Sequence, residues 1–165
     1  MIGALEQCKH IKLGCASNLV LLDTCFFINF LEHHKQLPNN IGSSKLGTTS
    51  FNADELLHVE HKLNHDTRSK LHEFFRTANL VIVDVPVSPG DWNAERAFVN
   101  SIDDKLLAHV RDPSDAVLIA AAIRTGSCIV TRDKHHLFTV NLEGFLKPYG
   151  LKVYKDLKFL AEQSF

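Results

Sequence analysis

Several things are scarce in this sequence, and each scarcity removes a class of protein. Five Pro in 165 residues exclude an extended polyproline or linker-rich chain. No Ser-, Gly- or charge-biased tract long enough to stay disordered is present, so one folded body is expected. The longest uninterrupted apolar run, Ala116–Ile123, is far short of the ~20 residues that cross a bilayer, and no membrane span is predicted. Residues 1–14 carry Lys9 and Lys12 without a continuous apolar stretch or a small-residue cleavage site, so no secretory leader is expected. Charge of one sign is lacking too. A net charge of −1 excludes a protein that coats duplex nucleic acid indiscriminately, although a local basic rim can still hold phosphate. The four Cys show no CxxC spacing and predict reduced thiols in a cytosolic chain. Cys8 and Cys15 flank His10, but at a spacing that matches no zinc pattern.

What is present is a stretch with both ends marked. In Asp112–Asp133, Asp112 can cap a helix, Pro113 fits its first position, and Gly126 stands where a left-handed C-cap is wanted. Val117, Leu118, Ile119, Ala120, Ala121, Ala122 and Ile123 leave that helix no wet face, which predicts burial against a sheet. Ile129-Val130-Thr131 reads as one of its strands. Asp115 then falls in the first helical turn and Asp133 just past a strand's carboxyl end, the edge at which open α/β sheets bind ligands.

The rest of the chain repeats the alternation. Leu19–Leu22 reads as a strand buried on both faces and ended by Asp23. A helix follows from Thr24, with Phe26, Phe27, Phe30 and Leu31 inward and His33, His34 and Lys35 in its last turn. Leu37–Thr48, rich in Pro, Asn, Gly and Ser, reads as a loop. Helices are expected from Asn52, with Glu55 in the first turn, and over Arg68–Ala78. Leu80–Val83 is a second strand, Trp92–Val110 a helix broken near Asp103, Lys134–Gly144 helical or irregular, Leu151–Tyr154 a last strand, and Leu157–Gln163 a terminal helix. Residues 1–18 show no clear period and read as an N-terminal arm, with 19–165 as the single domain. Strands alternating with helices predict a three-layer α/β/α sandwich around a mainly parallel sheet.

On this reading Asp23, Glu55, Asp115 and Asp133 all stand at element ends that right-handed crossovers bring to one edge. Carboxylates gathered there repel, at roughly 4 kcal/mol per pair for 4 Å and an effective dielectric near 20. A divalent cation or protonation relieves that strain. All-oxygen ligands favour Mg²⁺ or Mn²⁺ over zinc, and such an ion suits phosphodiester hydrolysis. A plainer account exists for two of the acids: Asn52-x-x-Glu55 and Asp112-x-x-Asp115 have the shape of capping boxes. Asp133 could stabilise a turn. A phosphatase is disfavoured, because the second Asp it needs two residues after Asp23 is here Cys25.

These residues also resemble a family. Leu-Leu-Asp23-Thr, Thr-Ser-Phe-Asn-Ala-Asp-Glu55-Leu-Leu, Asp115-Ala-Val-Leu-Ile-Ala-Ala-Ala and Ile-Val-Thr-Arg-Asp133-Lys are similar to the four acidic motifs of PIN-domain proteins, over residues 19 to 155. The resemblance implies a metal-dependent ribonuclease in which Asp23, Asp115 and Asp133 hold Mg²⁺ or Mn²⁺ and Glu55 positions metal or accepts a proton. Many members are VapC-like toxins, homodimers held inactive by an antitoxin. The alternative is a catalytically silent PIN-like module acting through a protein or RNA partner. Three further groups are weaker candidates: among His58, His61 and His65 at i, i+3 and i+7 on the second helix, His61 and His65 as a shared metal pair, against a solvated helix face; Arg111, Arg124, Arg132 and Lys134 as phosphate contacts, against plain solvation; and Trp92 as a base-stacking platform, against a packing anchor.

Overall fold

A computed structural model describes residues 1–33, 37–38, 40–133, 137 and 139–161. In chain order the elements are α1 (Ile2–Glu6), β1 (Lys9–Lys12), β2 (Leu19–Leu22), α2 (Thr24–His33), β3 (Asn40–Ile41), β4 (Ser44–Thr49), α3 (Ser50–Val59), α4 (His65–Thr77), β5 (Val81–Asp84), α5 (Trp92–Ile102), α6 (Leu106–His109), α7 (Pro113–Thr125), β6 (Cys128–Val130), α8 (Val140–Leu146), β7 (Val153–Tyr154) and α9 (Lys158–Ala161). The sheet runs β1-β5-β4-β2-β6-β7 with every neighbouring pair parallel, and short β3 pairs antiparallel to β4.

The inner strands of the sheet are buried on both faces, as a parallel sheet with crossover helices must be. Side chains alternate along β2: Leu19 and Leu21 pack with α5, α6, α7 and α8, while Val20 and Leu22 pack with α2, α4 and most of α3. The result is the expected α/β/α sandwich, with two apolar cores separated by one sheet. Phe27 of α2 lies 5.5 and 5.7 Å, ring centre to ring centre, from Phe74 and Phe75 of α4, so aromatic stacking joins these helices over the sheet. Helix α7 lies in the other layer and is buried from Ala116 through Ala122. Its ends match their sequence signals: Ser114 N–H donates to Asp112 Oδ1 at 3.0 Å, and Gly126 takes φ +62°, a conformation glycine enters without penalty.

Two differences from the sequence reading stand out. The stretch read as a loop over Leu37–Thr48 contains β4, which continues to Thr49 and lies inside the sheet between β2 and β5. Leu46, Gly47, Thr48 and Thr49 are buried, with Thr48 Oγ1 donating to the Leu22 carbonyl at 2.9 Å. Gly and Thr carry little hydrophobic signal, and the strands that bury them lie elsewhere in the chain, so no sequence window marks this strand. Residues 1–18, read as an arm, supply β1 at the sheet's edge beside β5. Across that pair His10 Nδ1 and Asp84 Oδ1 lie 2.7 Å apart. The helix expected over Trp92–Val110 is split into α5 and α6, broken at Asp103 as expected. His34, Lys35, Lys134 and the end of the terminal helix at Gln163 lie outside the described residues.

Candidate active site

Parallel topology sets the carboxyl ends of β2, β4 and β6 side by side. Asp23 follows β2 directly, Asp133 follows β6 by three residues, Glu55 sits in α3 straight after β4, and Asp115 lies in the first turn of α7. All four acids line one open cavity of about 390 Å³, whose wall also includes Thr24, Cys25, His58 and Pro89.

Asp23 is held by donors on every side. Thr24 N–H donates to its Oδ1 at 2.7 Å, Thr131 Oγ1 to Oδ2 at 2.6 Å, and Cys25 Sγ to Oδ2 at 2.9 Å. Asn52 Nδ2 reaches Oδ1 at 3.3 Å. Several donors together fix a carboxylate's orientation. Thr131 also accepts the Asp133 N–H at 3.0 Å, so a single hydroxyl ties the chain after β6 to the chain after β2. Burial, followed by the Asp23 charge, pushes the Cys25 thiol up to about 12. Cys25 is therefore a neutral donor to Asp23, and the thiolate needed for nucleophilic chemistry is disfavoured.

Glu55 departs from the capping-box reading. The cap of α3 is Thr49, whose Oγ1 accepts Asn52 N–H at 3.0 Å, so Glu55 stands in the second turn and turns its carboxylate to the cavity. Its Oε2 accepts Thr24 Oγ1–H at 2.7 Å and Asn52 Nδ2–H at 3.1 Å. Burial pushes its carboxyl up to about 7; the Asp23 and Asp115 charges add to the rise while the Thr24 and Asn52 bonds oppose it. Asn52 is buried, and Thr49 Oγ1 donates to its Oδ1 at 2.6 Å. One amide thus bridges Asp23 and Glu55. In sequence it reads only as a helix start, and its single distinguishing signal is its place three residues before Glu55, one turn away on the same face.

Among the described residues no three His, Cys, Asp or Glu groups close into a cage around an ion. The carboxylates instead ring an open cavity. An all-oxygen, strongly anionic ring that leaves room for water matches a hard divalent cation, which keeps several waters and uses few carboxylates. It is a poor match for zinc, which wants a closed set of nitrogen or sulfur donors.

The remaining candidates separate. His58 lines the cavity, and its Nδ1 is 2.7 Å from the Asp54 carbonyl, a pairing that places the proton on Nδ1 and leaves Nε2 as acceptor in the neutral ring. His61 falls in a 3₁₀ turn and His65 begins α4, so the three histidines do not share one helix face. Arg124 lies in the last turn of α7, about 13.5 Å along the axis from Asp115 at 1.5 Å per residue. Arg132 pairs with Asp156 at 3.2 Å. Cys8 Sγ lies 3.5 Å from the Ala4 carbonyl and His10 is paired with Asp84. All four Cys are free, and among the described residues no helix is long and apolar enough to cross a membrane.

No curated protein matches the chain. Among solved structures it is similar to the crystal structure of VapBC2 from Rickettsia felis bound to a DNA fragment from their promoter, at TM-score 0.52 and 16% identity, over 83% of this chain and 99% of that one. At that identity the likeness concerns the fold. The PIN domain family model matches residues 20–139, a span that runs from β2 past Asp133 and includes all four acids, and the chain belongs to the PIN domain family.

Proposed function

We propose that this chain is a divalent-metal-dependent endoribonuclease, with Asp23, Glu55, Asp115 and Asp133 as its site. The observation that carries the reading is that these acids, drawn from four elements, line one cavity at the sheet's carboxyl edge. Membership of the PIN family supports it. Asp23, Asp115 and Asp133 would hold Mg²⁺ or Mn²⁺, which when bound neutralises charge on a phosphodiester and makes water more acidic.

The chain's own part is positioning and proton handling. Asp23 is held in one orientation by its donors at the cavity wall. Glu55, with a carboxyl at about 7, is poised to take a proton near neutral pH, where acid–base exchange is most effective. Thr24 and Asn52 hold it over the cavity. On this reading water, not a neighbouring ribose 2′-hydroxyl, is the attacking group. The VapC resemblance, together with VapBC2 as structural neighbour, supports a toxin-type nuclease that works as a homodimer and is restrained by a protein antitoxin.

End-group analysis of a labelled RNA tests the reading. Cleavage should leave 5′-phosphate and 3′-hydroxyl ends, stop in EDTA, return with Mn²⁺, and fall below detection in both Asp23→Asn and Asp133→Asn. Cyclic phosphate ends formed in EDTA would overturn the assignment. Absence of heat on titrating Mn²⁺ into the protein would favour the silent binding module.

A further inference from the structure

Glu95 is a carboxylate that the proposed reaction does not use. It lies in the first turn of α5, where an acid is ordinarily a solvated partner of the helix dipole, yet it is 0% exposed. A carboxylate taken fully out of water is unfavourable unless its oxygens are hydrogen-bonded, and here each oxygen has a donor. Gly90 N–H donates to Oε1 at 2.9 Å and Ser114 Oγ–H to Oε2 at 2.7 Å.

Both donors are one residue from the cavity wall. Gly90 follows Pro89 and Ser114 precedes Asp115, and Pro89 and Asp115 line the cavity on which the four acids converge. Gly90 has φ +97°, a conformation that a side chain would strain, and from it the N–H reaches Glu95. Ser114 is fastened twice, by its own N–H to Asp112 Oδ1 and by its hydroxyl to Glu95. Glu95 therefore joins α5, the Pro89 loop and the first turn of α7 through one buried group.

We infer that Glu95 is a positioning residue for the metal site: through Ser114 it sets where Asp115 stands, and through Gly90 it sets the facing Pro89 wall. It touches neither ion nor substrate. The inference rests on the nuclease reading for Asp115, but the contacts that carry it are separate from the four acids. Groups that orient ligands from behind in this way typically change metal affinity 10- to 100-fold when removed.

The test is calorimetric titration of Mn²⁺ into the full chain, with melting temperature recorded for every variant. Glu95→Leu, which removes both acceptors, should weaken Mn²⁺ binding by about tenfold or more. Ser114→Ala, which removes one hydroxyl and is the milder change should Glu95→Leu not fold, should weaken it by a smaller factor. Glu95→Gln keeps an acceptor for Gly90 N–H and offers a donor to the Ser114 oxygen, and should bind within about threefold of wild type. Val99→Ala, elsewhere in the buried face of α5, controls for loss of stability alone and should lower the melting temperature while leaving Mn²⁺ affinity unchanged. Wild-type affinity in a folded Glu95→Leu or in Ser114→Ala would overturn the inference, as would a loss in Val99→Ala equal to theirs. A wild-type chain that binds no Mn²⁺ would overturn the nuclease reading itself, an outcome distinct from variants that bind as wild type does.

Discussion

Asn52 spreads one carboxamide over three groups of the site, donating to Asp23, Thr24 and Glu55 while its oxygen accepts from Thr49. Asn52→Ala strips a donor from two carboxylates and an acceptor from a buried hydroxyl, a loss of about 1–3 kcal/mol. Urea denaturation of the metal-free protein should show it, and a change below about 0.5 kcal/mol would put Asn52 among surface-like positions. Glu55 makes a second prediction, about pH. Its carboxyl is raised to about 7 chiefly by burial, so the folded state keeps the proton to higher pH than the unfolded chain does. Its stabilising contribution is fully present below the unfolded value near 4.3 and is lost as pH rises through about 7. Glu55→Gln cannot ionise. Its melting temperature in EDTA, relative to wild type, should therefore climb between pH 5 and pH 8, and a gap that stays constant would contradict the burial of the carboxylate. At this scale Asp23 and Asp133 were legible because charged residues just after apolar strand runs are unusual, and Glu55 and Asp115 because their surroundings resemble PIN-domain motifs. Asn52 and Glu95 were not, because a lone Asn or Glu in an early helical turn already has a sufficient local explanation.

Elements were legible where their pattern was apolar or their ends were marked. Helix α7 has both, and β2 is a run of four buried aliphatics. Strand β4 has neither: Gly47, Thr48 and Thr49 are buried because neighbouring strands close over them, which no window of sequence contains. Strand β1 is similar, four mostly exposed residues whose strand character comes from pairing with β5. Its side-chain fastening is His10 to Asp84, and the Asp84 hydrogen bond holds the His10 imidazole above its usual range. For a histidine raised in this way, the stabilisation is present below the unfolded value of about 6.5 and is lost as pH rises through the folded value. His10→Gln should therefore melt below wild type by a larger margin at pH 5.5 than at pH 8.5. Equal margins would mean that the pair does not help to dock β1. The effect is small, since exposed pairs are screened.

For the molecule as a whole, the two cores on opposite faces of one sheet anchor both sides of the cavity. Asp23 and Glu55 come from the β2 and β4 ends, while Asp115 comes from the helix layer on the other side. Ile2, Trp92, Val140 and Tyr149 are exposed large apolar side chains among the described residues. In keeping with the proposed homodimer, light scattering at micromolar concentration should give about twice the monomer mass of 18.5 kDa. A monomer would count against that part of the proposal.

The sequence by itself determined the alternation of strands and helices, the burial of α7, and the places of Asp23, Asp115 and Asp133 at element ends, because each of these follows from local periodicity and capping chemistry. Tertiary structure decided the rest. Only the strand order sets Thr131 against Asp23, across 108 residues of chain, and only the packing of α5 on α7 brings Glu95 to Ser114, across 19. Those contacts join residues whose sequence neighbours give no hint of one another. A hydrogen bond between distant segments depends on the path of the whole backbone, whereas a helix cap depends on the few residues that form it.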